Sequence, residues 1–244
     1  MTPTIPSPQL PFDWGEDPAA EGAEVFLLSP SNNEAFGLIN AWPTWPALAL
    51  VGPSGSGKTH LVHIWANHAA ATICELEDLP KALGSPAFGA SPVAIEFKHE
   101  MKDWSQPIEE ALFHLINRIN AAGSHLLLTG KTPPAHWPVR LPDLRTRLAA
   151  IPVTRLTAPD DSLLHALLLK LFTDRQLKVS HDVVEYLVKR LERSFAAARQ
   201  AVAALDAASL AEHEEITPRL AARVLKLTGP EEAGNVADED PPHA

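Results

Sequence analysis

The 244-residue chain has one cysteine, Cys74, so no internal disulfide can staple it. That suits a reducing cytoplasm, and a lone thiol of this kind is expected to be buried and inert. Long apolar runs are also missing. ALALV and HLLLT stop far short of the roughly 20 residues of a membrane helix, and the N-terminus has no basic stretch followed by an apolar one. An unexported, cytoplasmic protein without a membrane span is the expectation. Basic residues are outnumbered, with 20 Lys and Arg against 30 Asp and Glu, for a formal charge of -10. Broad unaided binding to DNA phosphates needs a basic surface, so any link to nucleic acid should run through a protein partner. No repeat of fixed period appears, which excludes a solenoid.

The chain is long enough for one sizeable core with a small satellite, and 45% of its residues are hydrophobic, the content of an ordinary folded protein. Residues 1–20 are proline-rich without a sustained apolar period, and residues 229–244 are acidic and proline-containing; both read as disordered tails. From 21 to 158, short apolar runs (EVFLL, ALALVG, ATICEL, PVAIEF, SHLLLTG, IPVTRL) alternate with helical segments (GKTHLVHIWANHAA, PIEEALFHLINRINAAG). That alternation predicts an α/β fold with a parallel sheet covered by helices. From 159 to 228 the strand signals vanish and capped helices follow: DDSLLHALLLKLFTDRQ at an Asp, SHDVVEYLVKRLERS at a Ser, and TPRLAARVLKL at Thr217 with Pro218 in the first helical position. This predicts a small helical domain.

The most specific signal is VGPSGSGKTHL, where Gly52, Gly57, Lys58 and Thr59 fit G-x-x-x-x-G-K-[ST] between a strand and a helix. Glycines let successive backbone N–H groups approach phosphate oxygens, and the helix N-terminus adds its positive dipole end. Gly52, Pro53, Ser54, Gly55, Ser56, Gly57, Lys58, Thr59 and His60 are therefore candidates for holding a nucleotide. Lys58 reaches the terminal phosphates in such a loop, and the Thr59 hydroxyl ligates Mg²⁺. PVAIEF is the candidate partner strand, an altered Walker B with Glu96 as the Mg²⁺ acid. The next residue, Phe97, accepts neither a proton nor a hydrogen bond, so slow intrinsic hydrolysis is expected; Glu100 and Asp103 lie near enough in sequence to substitute. The plainer alternative, a strand running into a loop, stays open. His60, His63 and His68 do not share one helical face, which speaks against a metal cluster there.

These segments resemble the AAA+ branch that contains the replication initiator DnaA, most closely its shorter Hda-type regulators, over about residues 8–228. VFLLSPSNNEAFGLI is similar to the family's opening box, which implies that Leu27 and Leu28 cover the adenine and that Asn32 belongs to the nucleotide site. LLLTGKTPPAHWP is similar to the sensor-1 strand, with Thr129 at its polar end, and LPDLRTRLAAIPVTRLTAPDDSLL to the segment bearing the arginine finger, Arg147, with Arg145 beside it. Where a sensor-2 Arg is expected, RSFAAARQAV has Ala, flanked by Arg193 and Arg199. PQLPFDW is similar to a sliding-clamp-binding peptide, with Gln9 to hydrogen-bond and Leu10, Phe12 and Trp14 to fill apolar pockets.

The resemblance implies an αβα nucleotide domain with a helical lid, ADP or ATP with Mg²⁺ between them, and an Arg147 that completes a partner's site. The implied partners are DnaA and the sliding clamp, and the implied function is negative regulation of replication initiation. No DNA-box-reading domain and no extra single-stranded-DNA element are evident, so no origin recognition of its own is expected. The rival is an independent ATPase that loads or remodels a DNA-bound replication partner. Also open are a homodimer, an Arg147 that anchors the lid through a salt bridge, and a tail that folds back on its own domain.

Overall fold

The computed structural model describes residues 27–97 and 104–226. The clamp-like peptide with Gln9, Leu10, Phe12 and Trp14, the acidic tail, Glu100 and Asp103 lie outside them. Five parallel strands form one sheet in the order β2-β3-β4-β1-β5, where β1 is Ala47–Val51, β2 Thr72–Glu75, β3 Val93–Glu96, β4 Leu126–Gly130 and β5 Val153–Arg155. The apolar sequences of β1, β3 and β4 suit central strands buried on both faces, while the edge strands β2 and β5 are partly exposed. Alternate residues of β1 point to opposite faces, so Leu48 and Leu50 join one apolar cluster and Ala49 the other.

On the first face lie α1 (Asn33–Asn40) and α2 (Lys58–Ala69), where Ile39, Leu61, Val62 and Trp65 are buried. The opposite face carries α3 (Leu79–Ala82), α4 (Gln106–Ala122) and α5 (Pro142–Ala149), with Leu79, Leu112, Leu115, Leu144 and Leu148 buried against β3 and β4. Cys74 is a buried free thiol, and burial, reinforced by Asp78 and Glu75, pushes it up to about 11. The thiol is buried as expected, and both effects disfavour the thiolate, its reactive form.

The chain then turns all-helical: α6 (Asp161–Asp174), α7 (His181–Val188), α8 (Phe195–Glu212) and α9 (Pro218–Leu225) enclose their own core around Phe172, Leu168, Val184, Leu187 and Leu205. The expected caps are present at two ends. The Asp160 carboxylate accepts from the Leu163 N–H at 2.8 Å, and the Thr217 hydroxyl accepts from the Leu220 N–H at 3.2 Å. No membrane-length apolar helix occurs among the described residues.

One apolar run is corrected. In EVFLL the described residues, Leu27 and Leu28, belong to no strand. The Leu27 carbonyl instead accepts from the Asn32 side-chain amide at 2.8 Å, and the Leu27 side chain packs on the helical core of α6–α9. A side-chain partner has replaced the strand ladder.

Glu109, on α4, is a buried acid whose oxygens accept from the Arg140 N–H at 3.0 and 3.1 Å and the Leu141 N–H at 2.7 Å. These bonds fasten the start of α5. Removing the carboxylate takes away the acceptor of two part-buried N–H donors, so Glu109→Ala should cost about 1–2 kcal/mol in urea unfolding, with Glu109→Gln intermediate.

Candidate functional site

The loop Gly52–Gly57 joins the end of β1 to the start of α2. Gly55 and Gly57 have φ of 72° and 94°, left-handed values that a side chain strains, and Gly57 is the N-cap of α2. A Cβ on Gly52 would lie 2.4 Å from the Leu156 carbonyl oxygen, and one on Gly55 would lie 2.5 Å from Ser194 Cβ. The backbone is therefore drawn into a cradle that side chains would fill. The first-turn N–H groups of α2 have no carbonyl partners in the helix and face this cradle.

Side chains complete the anion-binding character. Lys58 Nζ donates to the carbonyls of Gly52 at 2.8 Å and Pro53 at 2.7 Å, which folds its ammonium over the loop. Burial, followed by the Lys131 charge, lowers its pKa, and Glu96 opposes them. An anion in the cradle would relieve that strain. Ser56 Oγ is buried and has no hydrogen-bond partner among the described residues, so it is left with a donor to offer. Thr59 is exposed on the first turn, and His60 is half-buried behind it. This residue set fits a nucleotide's phosphates, with Thr59 and Glu96 as candidates for Mg²⁺.

Glu96 is buried at the end of β3, as expected of a strand-tip acid. On the neighbouring strand, the Thr129 hydroxyl accepts from the Phe97 N–H at 3.2 Å and faces the Ile95 carbonyl at 3.5 Å. Thr129 thus ties β4 to the β3 tip beside Glu96. Asn32 is buried with both ends of its amide used, accepting from the Ser29 N–H at 2.9 Å and donating to Leu27. It shapes the turn that carries Leu27 and the exposed Leu28. Those two leucines therefore enter through the opening segment, and Asn32 sets its form.

The sequence did not disclose the surroundings of Phe97. Its ring lies 4.4 Å from that of Trp137 and 5.5 Å from that of Trp104, which are themselves 5.4 Å apart. Both tryptophans are buried, and the trio belongs to the α4 side of the core. The Trp pair in KDWSQP and PAHWP was visible, but its convergence on Phe97 was not. The position where a second Walker B acid would sit is thus apolar by construction.

Arg147, near the end of α5, is exposed, with its guanidinium 5.1 Å from the centre of the Phe113 ring of α4. Arg145 is exposed on the same helix. Arg193 pairs with Asp161 at 2.8 Å, which ties the start of α8 to α6. The structure brings together Lys58, Thr59, Glu96 and Thr129 at the carboxyl ends of adjacent strands, while Arg147 stands apart on α5.

An acid placed at 97 would sit beside two buried indoles. Phe97→Asp should destabilise the fold by at least about 2 kcal/mol in urea unfolding and red-shift the tryptophan emission of the folded state.

Comparison with known proteins agrees with this architecture. Residues 160–225 match the family model of the Hda lid domain. The fold is that of domain III of the Thermotoga maritima replication initiation protein DnaA, with a TM-score of 0.72, 17% identity, and coverage of 82% of this chain and 93% of that one. A DnaA bound to AMPPCP and single-stranded DNA superimposes with a TM-score of 0.66 at 12% identity, over 78% of this chain and 67% of its own. An uncharacterized protein of Haemophilus influenzae is 28% identical over 192 residues, covering 75% of this chain and 82% of that protein. The parallel sheet over residues 47–155 and its helices thus have the fold of DnaA domain III, and residues 160–225 are similar to the Hda lid domain.

Proposed function

We propose that the protein is a nucleotide-holding regulator of replication initiation, one that promotes ATP hydrolysis by DnaA rather than turning over ATP rapidly itself. The observation that carries this reading is the exposed Arg147, mounted on α5 away from its own phosphate loop and braced by Phe113. An arginine delivered in trans to a nucleotide site accelerates hydrolysis by about 10³–10⁵ in GTPase examples. The cradle, Lys58 and the unpartnered Ser56 hydroxyl support ADP or ATP as the resident nucleotide, with Thr59 and Glu96 holding Mg²⁺. Leu27 and Leu28 cover the base, and the lid closes the site from α8. Phe97, half-buried against two tryptophan rings, has no means of activating water, so the nucleotide persists as a structural element.

In this scheme Gln9, Leu10, Phe12 and Trp14 dock the protein on the sliding clamp, which delivers it to DNA-associated DnaA in the cytoplasm. Residues 21–158 act as the nucleotide domain and 159–228 as the lid. Homodimerisation stays compatible with this arrangement. Glu96 at its strand tip beside Lys58 is the observation that favours the rival, an ATPase acting on a DNA-bound partner.

ATP turnover by purified DnaA, with and without this protein, ADP and clamp-loaded DNA, separates the two. The expected outcome is stimulation that falls to background with Arg147→Ala or with a chain truncated before Gly15. Failure to stimulate, or rapid turnover by the isolated protein, would overturn the proposal. Lys58→Ala should abolish measurable ADP and ATP binding in equilibrium dialysis, whereas Arg147→Ala should leave it unchanged.

A further inference from the structure

A cluster in the lid has no place in nucleotide chemistry. His165 lies on α6, while His181 and Glu185 lie on α7, four residues apart and hence on one face. The imidazoles of His165 and His181 meet edge to face at 5.6 Å, and His165 Nε2 is 3.8 Å from Glu185 Oε1. One nitrogen or oxygen from each residue lies within 4.8 Å of the other two, an arrangement found at no other group of His, Cys, Asp and Glu among the described residues.

We propose that these three residues bind a divalent transition-metal ion of the zinc class. Two imidazole nitrogens and one carboxylate oxygen match Zn²⁺, Co²⁺ or Ni²⁺, whereas Mg²⁺ and Ca²⁺ take oxygen-rich shells. Bonds of roughly 2.0–2.2 Å set tetrahedral ligand atoms roughly 3.3–3.5 Å apart, so the three groups need draw in by only about 1 Å. The side chains allow it. His181 is exposed on the first turn of α7, while His165 and Glu185 are half-buried and set the geometry. Lys189 lies 3.8 Å from the other oxygen of Glu185, in an exposed pair that competes weakly and leaves Oε1 for the ion.

Three ligands from two helices make the ion a brace. It links α6 to α7, on residues distinct from Ser194 and Phe195 that touch the phosphate loop, and it stabilises the lid by mass action wherever the metal exceeds its dissociation constant. Its fourth position remains for water or for a ligand from a second protein.

The test uses the full chain stripped with chelator and titrated with Co²⁺ and then Zn²⁺. A single equivalent of Co²⁺ should give the visible bands of a tetrahedral site, Zn²⁺ should bleach them, millimolar Mg²⁺ should not, and Zn²⁺ should raise the melting temperature. His181→Ala, at an exposed position that leaves the lid core intact, and Glu185→Gln should each weaken binding by about 10- to 100-fold or more, since even outer-shell losses at metal sites reach that range. His63→Ala, on α2 and outside the lid, should change nothing. No saturable Co²⁺ binding by the wild-type chain, binding that survives both lid substitutions, or binding lost with His63→Ala would each overturn the proposal.

Discussion

The phosphate loop is held between two segments that reach it from much later in the chain. On one side the Leu156 carbonyl, just past β5, occupies the space a Gly52 side chain would need; on the other, Ser194 at the start of α8 does the same to Gly55. The Phe195 N–H closes the contact by donating to the Gly55 carbonyl at 3.0 Å. The glycines are therefore required twice, once for the left-handed turns at 55 and 57 and once for lack of room. Loop shape and lid position become a single constraint. A nucleotide entering the cradle meets a helix start already seated on it, which is how a local phosphate site can inform a separate helical core.

That coupling explains which features the sequence disclosed. The motif at 52–59 was legible because all its parts are contiguous and its context is local, a strand ending and a helix beginning. The α/β alternation was legible for the same reason, as were the caps at Asp160 and Thr217. That Leu27 and Leu28 lie outside any strand was not legible, because apolar composition alone does not say whether a backbone carbonyl will find a strand or a side chain; here Asn32 claims that of Leu27. The surroundings of Phe97 were illegible because they depend on where Trp104 and Trp137 return to the sheet, and pairwise ring contacts leave no periodicity.

Position 97 also shows why the missing acid is more than a lost functional group. A carboxylate there would lose part of its water beside two indoles that pack on α4 and β4. The core packs around the ring, so the apolar residue contributes to stability as well as excluding a base. Thr129 is drawn into the same arrangement, with its hydroxyl spent on the backbone of the β3 tip. A site organised in this way presents a glycine-rich backbone and Lys58 while offering little to activate water.

The contrasting element is α5. Glu109 and Phe113 are four residues apart on α4 and share a face. Glu109 grips the amides of Arg140 and Leu141 just ahead of α5, and Phe113 lies under the guanidinium of Arg147 near its end. One face of α4 thus sets both ends of the short helix. A cation–π contact of this kind positions the guanidinium over the ring without using its N–H donors in a hydrogen bond. The role proposed for Arg147 requires a side chain that is already positioned, since ordering it at the moment of contact would consume much of what it contributes. Leu144 and Leu148, buried beneath the same helix, supply the rest of that rigidity, so the exposure of Arg147 is the product of a tightly packed support.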